Sequence, residues 1–159
     1  MIDETIKAYI AGILDGEGTI IIRTIKKENR ATQHHLVISI VNTSLEMLQY
    51  INKYFGGALN KRKQRLNNKT IYTLAFSSSP GYKLLNNIYR YLIIKKDQAC
   101  IAMKFQEEIY NRKRNSLDIY TINKRQEYKE LISNLNNKKT NVTMLKHIKI
   151  LNRENPLFE

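Results

Sequence analysis

Cysteine, acidic side chains and long apolar runs are all scarce in this sequence of 159 residues. A single cysteine, Cys100, excludes an intramolecular disulfide, and no Cys/His cluster has the spacing of a zinc site. No apolar run approaches the ~20 residues of a membrane span, and the N-terminus is neither a signal peptide nor an Arg-rich transit peptide. We therefore expect a soluble protein in a reducing compartment, with no membrane partner.

The shortage of acids leaves a large positive charge. The 14 acidic side chains are outnumbered by 27 lysines and arginines, which gives a formal net charge of +13 at pH 7. The excess is spread along the whole chain instead of being confined to a tail. This balance predicts that the partner is a polyanion.

Hydrophobic periodicity predicts the order α-β-β-α-β-β-α, followed by further helices. Helical patterns cover residues 4–14, 44–57, 82–93, 96–111, 118–134 and 141–152, and strand patterns cover 19–26, 35–42, 58–65 and 69–76. We expect antiparallel strands and a mixed α/β (α+β) fold. The length favours one domain over residues 1–159, with a core at about 4–112 and a C-terminal helical extension at about 113–159.

The first predicted helix carries an unusual stretch, AYIAGILDGEG, at residues 8–18. At roughly 100° per residue, its bulky side chains lie on one side, while Ala8, Ala11, Gly12 and Asp15 share the other. Glycine in mid-helix costs about 1 kcal/mol, so close helix packing has to offset Gly12. Because the motif occurs once, we predict that these four residues contact the same helix of a second subunit about a two-fold axis.

Two acids close this stretch, and glycines flank the second of them, Glu17. Two-fold symmetry would bring two such carboxylates together, and close carboxylates repel each other unless cations lie between them. Oxygen ligands select Mg²⁺ or Ca²⁺. An EF-hand loop is excluded, because its required glycine and closing glutamate are missing. The alternative interpretation is a capped helix followed by a glycine-rich turn whose acids are merely solvated.

The segment IAGILDGEG (10–18) resembles the LAGLIDADG motif of homing endonucleases. It matches the motif at Ala11, Gly12, Asp15 and Gly18, and conservatively at Ile10, Ile13, Leu14 and Glu17. The segments 38–57 and 93–105 are also similar to those of single-motif, homodimeric members, so the resemblance covers roughly residues 5–110. It implies an αββαββα homing-endonuclease fold. In that fold an antiparallel, saddle-shaped sheet covers duplex DNA, helices lie on its other side, and two motif helices meet at the dimer interface.

The resemblance also implies roles for the motif residues. Glu17 matches the acid that binds the catalytic metal, although most relatives have aspartate there, and Gly16 matches a position whose carbonyl can complete the coordination. Asp15 matches the family's other acid, which is usually structural. The implied cofactor is Mg²⁺, with Mn²⁺ or Ca²⁺ as other occupants, and no small-molecule cofactor is implied.

Two residues outside the motif match further positions of the family. Asn42 falls where many relatives place a glutamine that orders the attacking water, and a turn or helix-capping role before Ser44 is the alternative. Lys95 falls on a basic residue that stabilises phosphate charge, and a solvated basic pair with Lys96 is the alternative. The sequence alone leaves both choices open.

A two-stranded ribbon fits the major groove of DNA, so recognition is expected from one face of the sheet. Strand alternation directs toward DNA Ile21, Arg23, Ile25, His35, Val37, Ser39, Lys61, Lys63, Ile71 and Thr73, with Arg30, Gln33 and Arg65 in or near the loops. Arg23 is the best candidate for reading a guanine. Leu74 and Phe76 are expected in the core, and His34 and His147 at the surface.

The function implied by the resemblance is that of an intron-encoded, site-specific endonuclease. Such an enzyme hydrolyses phosphodiester bonds in both strands of a long pseudo-palindromic DNA target and leaves short 3′ overhangs. One alternative is a non-cleaving protein of the same fold, either an intron-splicing maturase or a transcription regulator. Another is a nucleic-acid-binding module without metal. The expected location is intracellular, in an organelle (mitochondrion or chloroplast) or in the cytoplasm of a prokaryote.

Overall fold

The computed structural model describes residues 2–26, 28, 32–63, 69–111, 118–139 and 142–153. Its helices are α1 (Glu4–Glu17), α2 (Leu45–Phe55), α3 (Ser79–Ile88), α4 (Lys96–Asn111), α5 (Ile119–Asn136) and α6 (Val142–Arg153). Its strands are β1 (Gly18–Ile25), β2 (Gln33–Asn42), β3 (Ala58–Lys63) and β4 (Thr70–Ser77). A short 3₁₀ turn, Tyr89–Tyr91, follows α3. The predicted order of helices and strands is confirmed.

Helix α1 extends beyond the end predicted from the sequence and holds both motif acids on its last turn. Asp3 caps the helix N-terminus, because its carboxylate accepts a hydrogen bond from Thr5 N at 2.8 Å. At the other end Gly18 N donates to the Leu14 carbonyl, and β1 begins at Gly18 itself. A Cβ at Gly18 would lie 2.6 Å from the Leu14 carbonyl oxygen. Glycine therefore allows the strand to leave the helix without a connecting loop.

The four strands form one antiparallel sheet in the order β1-β2-β4-β3. Ile20 pairs with Ile38 across β1 and β2, and Ile40 pairs with Leu74 across β2 and β4. Because side chains alternate between the two faces of a sheet, one face carries the buried residues Ile20, Ile22, Leu36, Ile38, Ile40, Leu74 and Phe76. Helices α1 to α4 pack on that inner face. The intervening strand residues form the opposite face, which we call the outer face.

Helix α5 packs along β1, the edge strand, and α6 packs on α4. Their residues Tyr128, Ile132 and Ile148 are buried in the same apolar cluster as the sheet. Asn136 Nδ2 donates to the Ile20 carbonyl at 2.9 Å, which satisfies a polar group of the edge strand. No helix in the described part of the chain is long and apolar enough to cross a membrane.

His34 is buried, which contradicts the surface position expected from the sequence. It is 3% exposed, and Gln126 Oε1 of α5 accepts a hydrogen bond from its Nε2 at 3.2 Å. Burial lowers the pKa of His34 below its ordinary 6.5, the hydrogen bond opposes this, and nearby cations lower it further. The imidazole lies between β2 and α5, in surroundings that favour its neutral form. His147 lies at the surface as expected, close to Glu127.

Candidate active site and nucleic-acid interface

Asp15 joins the C-terminal end of α1 to the segment that precedes α4. Its Oδ2 accepts a hydrogen bond from Ile93 N at 2.7 Å, and its Oδ1 accepts one from Lys95 N at 2.9 Å. The side chain is 9% exposed. Charge-assisted hydrogen bonds of this kind are about twice as strong as neutral ones. The Asp15 carboxylate is thus occupied in fixing the segment before α4.

The Lys95 side chain makes a second contact between the same two segments. Its ammonium group donates to the backbone carbonyl of Asp15, so a cation lies at the C-terminal end of α1, where the helix dipole favours positive charge. The Lys95 carbonyl accepts from Ala99 N at 2.9 Å, which starts α4. Sequence reasoning had left a solvated lysine pair open. The structure instead holds Lys95 next to the turn that carries Gly16 and Glu17.

Glu17 and Gly16 lie exposed at this same end of α1. Asn42 ends β2, two residues beyond Ile40, which pairs with Gly18, the first residue after α1. Asn42 Oδ1 accepts a hydrogen bond from Ser44 N at 2.9 Å, so the turn contact that the sequence allowed is present. Glu17, Gly16 and Lys95 therefore lie together at the C-terminal end of α1, which we call the junction, and Asn42 lies at the nearby end of β2.

One chain brings a single motif carboxylate to this surface. Asp15 is bonded to backbone amides, and no described hydrogen bond or ion pair engages the carboxylate of Glu17. Within the described ranges, no three His, Cys, Asp or Glu side chains gather closely enough to hold a metal ion. The oxygen donors available at the junction are therefore the Glu17 carboxylate and the exposed backbone of Gly16.

The residues predicted to face a second subunit divide into two groups. Ala8 and Gly12 are exposed, and Gly16 continues their row at a spacing of four residues. Ala11 is fully buried within its own chain, and Asp15 is bonded to the segment before α4. A uniform rotation of roughly 100° per residue grouped these two with Ala8 and Gly12, because it carries no information about the segment before α4, which binds Asp15. The row Ala8, Gly12 and Gly16 is called the glycine stripe below.

The outer face of the sheet carries most of the residues predicted to meet DNA. Across β1 and β2, Ile21 pairs with Val37, Arg23 with His35, and Ile25 with Gln33. Ser39 shares this face, and the same alternation sets Ile71 and Thr73 of β4 on it. Arg23 is exposed, whereas Val37 is only 9% exposed. Arg30 and Arg65 lie outside the described residues.

Lys61 and Lys63 do not lie on the outer face, which corrects the sequence prediction. Lys61 pairs with Tyr72 and Lys63 with Thr70, so both alternate with the outer face and lie on the side of Leu74. The outer positions of β3 are instead Asn60, opposite Thr73, and Arg62, opposite Ile71. The strand ALNKRK ends in an unbroken polar run, so it has no alternation from which to read a register. Leu59, which faces Leu74, fixes the register through packing that only the folded chain provides.

Comparison with known protein families gives one match that covers more than half of the chain. The model of the LAGLIDADG endonuclease family matches residues 10–104. The chain belongs to the LAGLIDADG endonuclease family. The matched range begins inside α1 and includes the motif, the whole sheet and Lys95.

A curated member is similar over most of this LAGLIDADG chain. It is the probable intron-encoded endonuclease aI3 of Dictyostelium discoideum, 29% identical over 142 residues, which cover 83% of this chain and 55% of the relative. The chain thus spans about half the length of that curated relative.

Solved structures of LAGLIDADG proteins share the fold. The homing endonuclease I-CvuI, solved with the I-CreI DNA target, has a TM-score of 0.69 at 17% identity, over 93% of this chain and 92% of that one. An archaeal intron-encoded homing endonuclease, I-Vdi141I, solved with DNA, has a TM-score of 0.67 at 17% identity, over 91% and 95%. I-SmaMI bound to cleaved DNA has a TM-score of 0.64 at 19% identity, over 95% of this chain and 49% of that one.

Proposed function

We propose that this protein is a homodimeric DNA endonuclease that hydrolyses phosphodiester bonds at one long, roughly palindromic site with a divalent metal. The observation that carries the proposal is the exposed Glu17 carboxylate, which ends a glycine-lined helix beside Lys95. A carboxylate that merely stabilised its own chain would be bonded within it, as Asp15 is. The relatives solved with DNA support nucleic acid as the substrate class.

The glycine stripe supports the homodimer. A Cβ at Gly12 or at Gly16 would meet nothing within 4 Å, and neither position has a positive φ. The chain by itself therefore has no use for glycine there, although a helical glycine costs about 1 kcal/mol relative to alanine. Close approach of a second backbone explains the choice.

The lengths of the structural relatives point the same way. One relative with this fold is as long as this chain, since 92% of it is covered. Another is about twice as long, since 49% of it is covered. A fold that occurs both as a single unit and within a chain of double length is consistent with a working assembly of two such units. Two copies of this chain would supply that assembly.

The donor set suits a hard divalent cation. With the stripes of two copies in contact and their helices parallel, two Glu17 carboxylates and two Gly16 carbonyls would meet near the axis. Oxygen donors of this kind fit Mg²⁺, with Mn²⁺ or Ca²⁺ as alternative occupants. A bound Mg²⁺ would neutralise charge on the scissile phosphate and lower the pKa of a nearby water.

The other residues of the junction would assist hydrolysis directly. The Lys95 ammonium group would stabilise charge that develops on the phosphate. Asn42 Oδ1 accepts a hydrogen bond from Ser44 N, which fixes the side-chain amide. The Nδ2 group would then be free to orient the attacking water. Two such sites about one axis would cut both strands, and we expect short 3′ overhangs.

The outer face of the sheet would read the DNA. Among the described residues, Arg23 and Arg62 are exposed arginines of this face, and the chain's net charge of +13 favours a polyanion. A bidentate arginine contact to guanine is the commonest specific contact in the major groove. The apolar positions Ile21 and Ile71 would contact thymine methyl groups. Surface lysines would contact phosphates and orient the protein without reading sequence.

The test is a cleavage selection on a randomised duplex library with Mg²⁺, in which the wild type is compared with Glu17→Gln at equal DNA occupancy. Glu17→Gln should lower the cleavage rate on the order of a thousandfold, because a bound metal stabilises the transition state by several kcal/mol. Glu127→Gln, which changes an exposed acid of α5, is the matched control and should cut at the wild-type rate. Tight binding without cleavage by any variant, with Mg²⁺ or Mn²⁺, would instead favour a splicing cofactor or a regulator.

A further inference from the structure

Two adjacent isoleucines project from the segment that Asp15 fixes. Ile93 is 85% exposed and Ile94 is 70% exposed, next to each other in the chain. Single exposed apolar residues are ordinary, but this pair stands on a backbone held by two hydrogen bonds to Asp15, one from Ile93 N and one from Lys95 N. The pair is thus an apolar knob presented in a fixed position.

A cavity of about 460 Å³ lies between α1 and α2. It is lined by Tyr9, Ser44, Glu46, Met47 and Tyr50. The rings of Tyr9 and Tyr50 meet edge to face at 6.0 Å, and Tyr9 remains 53% exposed. The volume is about three times the ~150 Å³ of a cavity that admits a benzene ring. The cavity therefore has the size for a branched side chain, and Tyr9, Met47 and Tyr50 give it apolar surface beside the polar Ser44 and Glu46.

The knob and the cavity flank the glycine stripe on opposite sides. At roughly 100° per residue, Asp15 lies on one side of Gly12 and Tyr9 lies on the other. Asp15 binds the segment of the knob, and Tyr9 lines the cavity. The stripe thus runs between a protrusion and a recess, all on the surface of one chain.

Two-fold symmetry turns these flanks toward each other. Both Glu17 carboxylates reach the axis only if that axis runs along the two α1 helices, and a half-turn about such an axis exchanges left and right flanks. We propose that Ile93 and Ile94 of one copy insert into the cavity lined by Tyr9, Met47 and Tyr50 of a second copy, twice per dimer. This inference rests on the homodimer proposed above and names its contacts.

The contact would also couple assembly to the site. Ile93 and Ile94 directly precede Lys95, whose ammonium group lies against the Asp15 carbonyl. Burying the pair in a second copy restrains the backbone that positions this lysine. The two copies would thus each order the other's phosphate-binding cation.

Cysteine cross-linking tests the contact. A chain carrying Ile94→Cys is co-expressed with a chain carrying Met47→Cys, and in a second pairing with one carrying Glu46→Cys. A disulfide requires Cα atoms within about 7 Å, so oxidation should link mixed dimers in at least one pairing and should leave each variant unlinked on its own. The native Cys100 is buried and does not compete. Ile150→Cys paired with Met47→Cys is the control, since Ile150 is exposed on α6.

Sedimentation of the same samples separates the possible failures. Dimers that form no cross-link in either pairing would overturn the knob-and-cavity contact and leave the homodimer standing. Monomers with and without DNA would overturn both. As a second variant, Ile93→Asp with Ile94→Asp should raise the dimer dissociation constant at least about tenfold. Ile119→Asp, at a residue 72% exposed on α5, should leave it unchanged. Equal dissociation constants for these two variants would contradict the proposal.

Discussion

Asp15 and Glu17 are two residues apart on one helix, but the fold of the single chain uses only the first. The Asp15 carboxylate accepts two backbone hydrogen bonds and is 9% exposed, whereas Glu17 lies exposed on the last turn of α1. The glycines beside them differ in the same way. Gly18 is required by close contact with Leu14, whereas Gly12 has open space around it. Residues that their own chain does not explain are the ones that point to a second chain and a ligand.

The sharpest form of this comparison is a pair of substitutions. Asp15→Asn removes the charge and sets an amide NH₂ against one backbone N–H, so it should lower the free energy of unfolding by about 2 kcal/mol or more. Glu17→Gln should change it by no more than about 0.5 kcal/mol, as exposed substitutions do. Urea unfolding at one fixed protein concentration measures both. Equal losses would mean that the two acids have the same structural role.

Much of α1 was readable from the sequence, and its end was not. The apolar spacing predicted a helix from residue 4, because amphipathicity is a local pattern. The predicted helix ended at residue 14, but the hydrogen bond that closes α1 comes from Gly18 N to the Leu14 carbonyl. The hydrogen bonds of Asp15 within its own chain could not be predicted for a related reason. Its partners, Ile93 and Lys95, are 78 and 80 residues away.

The two faces of the sheet allow a second comparison, between neighbours on one strand. Arg62 lies on the outer face and Lys61 on the inner side of β3. Arg62→Ala should weaken DNA binding by about 1 kcal/mol or more and reduce the slope of log affinity against log salt by about 1. Lys61→Ala should have a smaller effect on both. Salt-dependent binding titrations measure the difference, and a larger effect at Lys61 would contradict the register of β3.

The outer face shows where alternation works as a guide and where it fails. β1 and β2 mix β-branched and polar residues, so their faces follow from the sequence. β3 ends in a polar run, and its faces follow only from the packing of Leu59 on Leu74. The burial of His34 could not be predicted locally, because its partner Gln126 is 92 residues away. Contacts between distant segments are thus the part that local patterns do not encode.

The smallest predicted effect is a pH dependence at His34. Burial lowers its pKa in the folded chain below 6.5, so near and below that pH the unfolded chain binds the proton more readily. The free energy of unfolding should therefore fall as pH drops from 7.5 through 6.5. His34→Gln should lack this part of the fall. Urea unfolding of both proteins at pH 7.5 and 5.5 measures it, and equal pH dependence would show that His34 does not titrate differently on folding.

A glycine stripe that is shaped for a second copy of the chain should not tolerate a bulky side chain, and Gly12→Leu introduces one. Open space surrounds Gly12 in the single chain, and leucine favours a helix by nearly 1 kcal/mol relative to glycine. Sedimentation velocity with circular dichroism on the wild type and this variant measures assembly and fold together. We expect a wild-type dimer and a folded, monomeric variant. A monomeric wild type, or a variant that remains a dimer, would contradict this expectation.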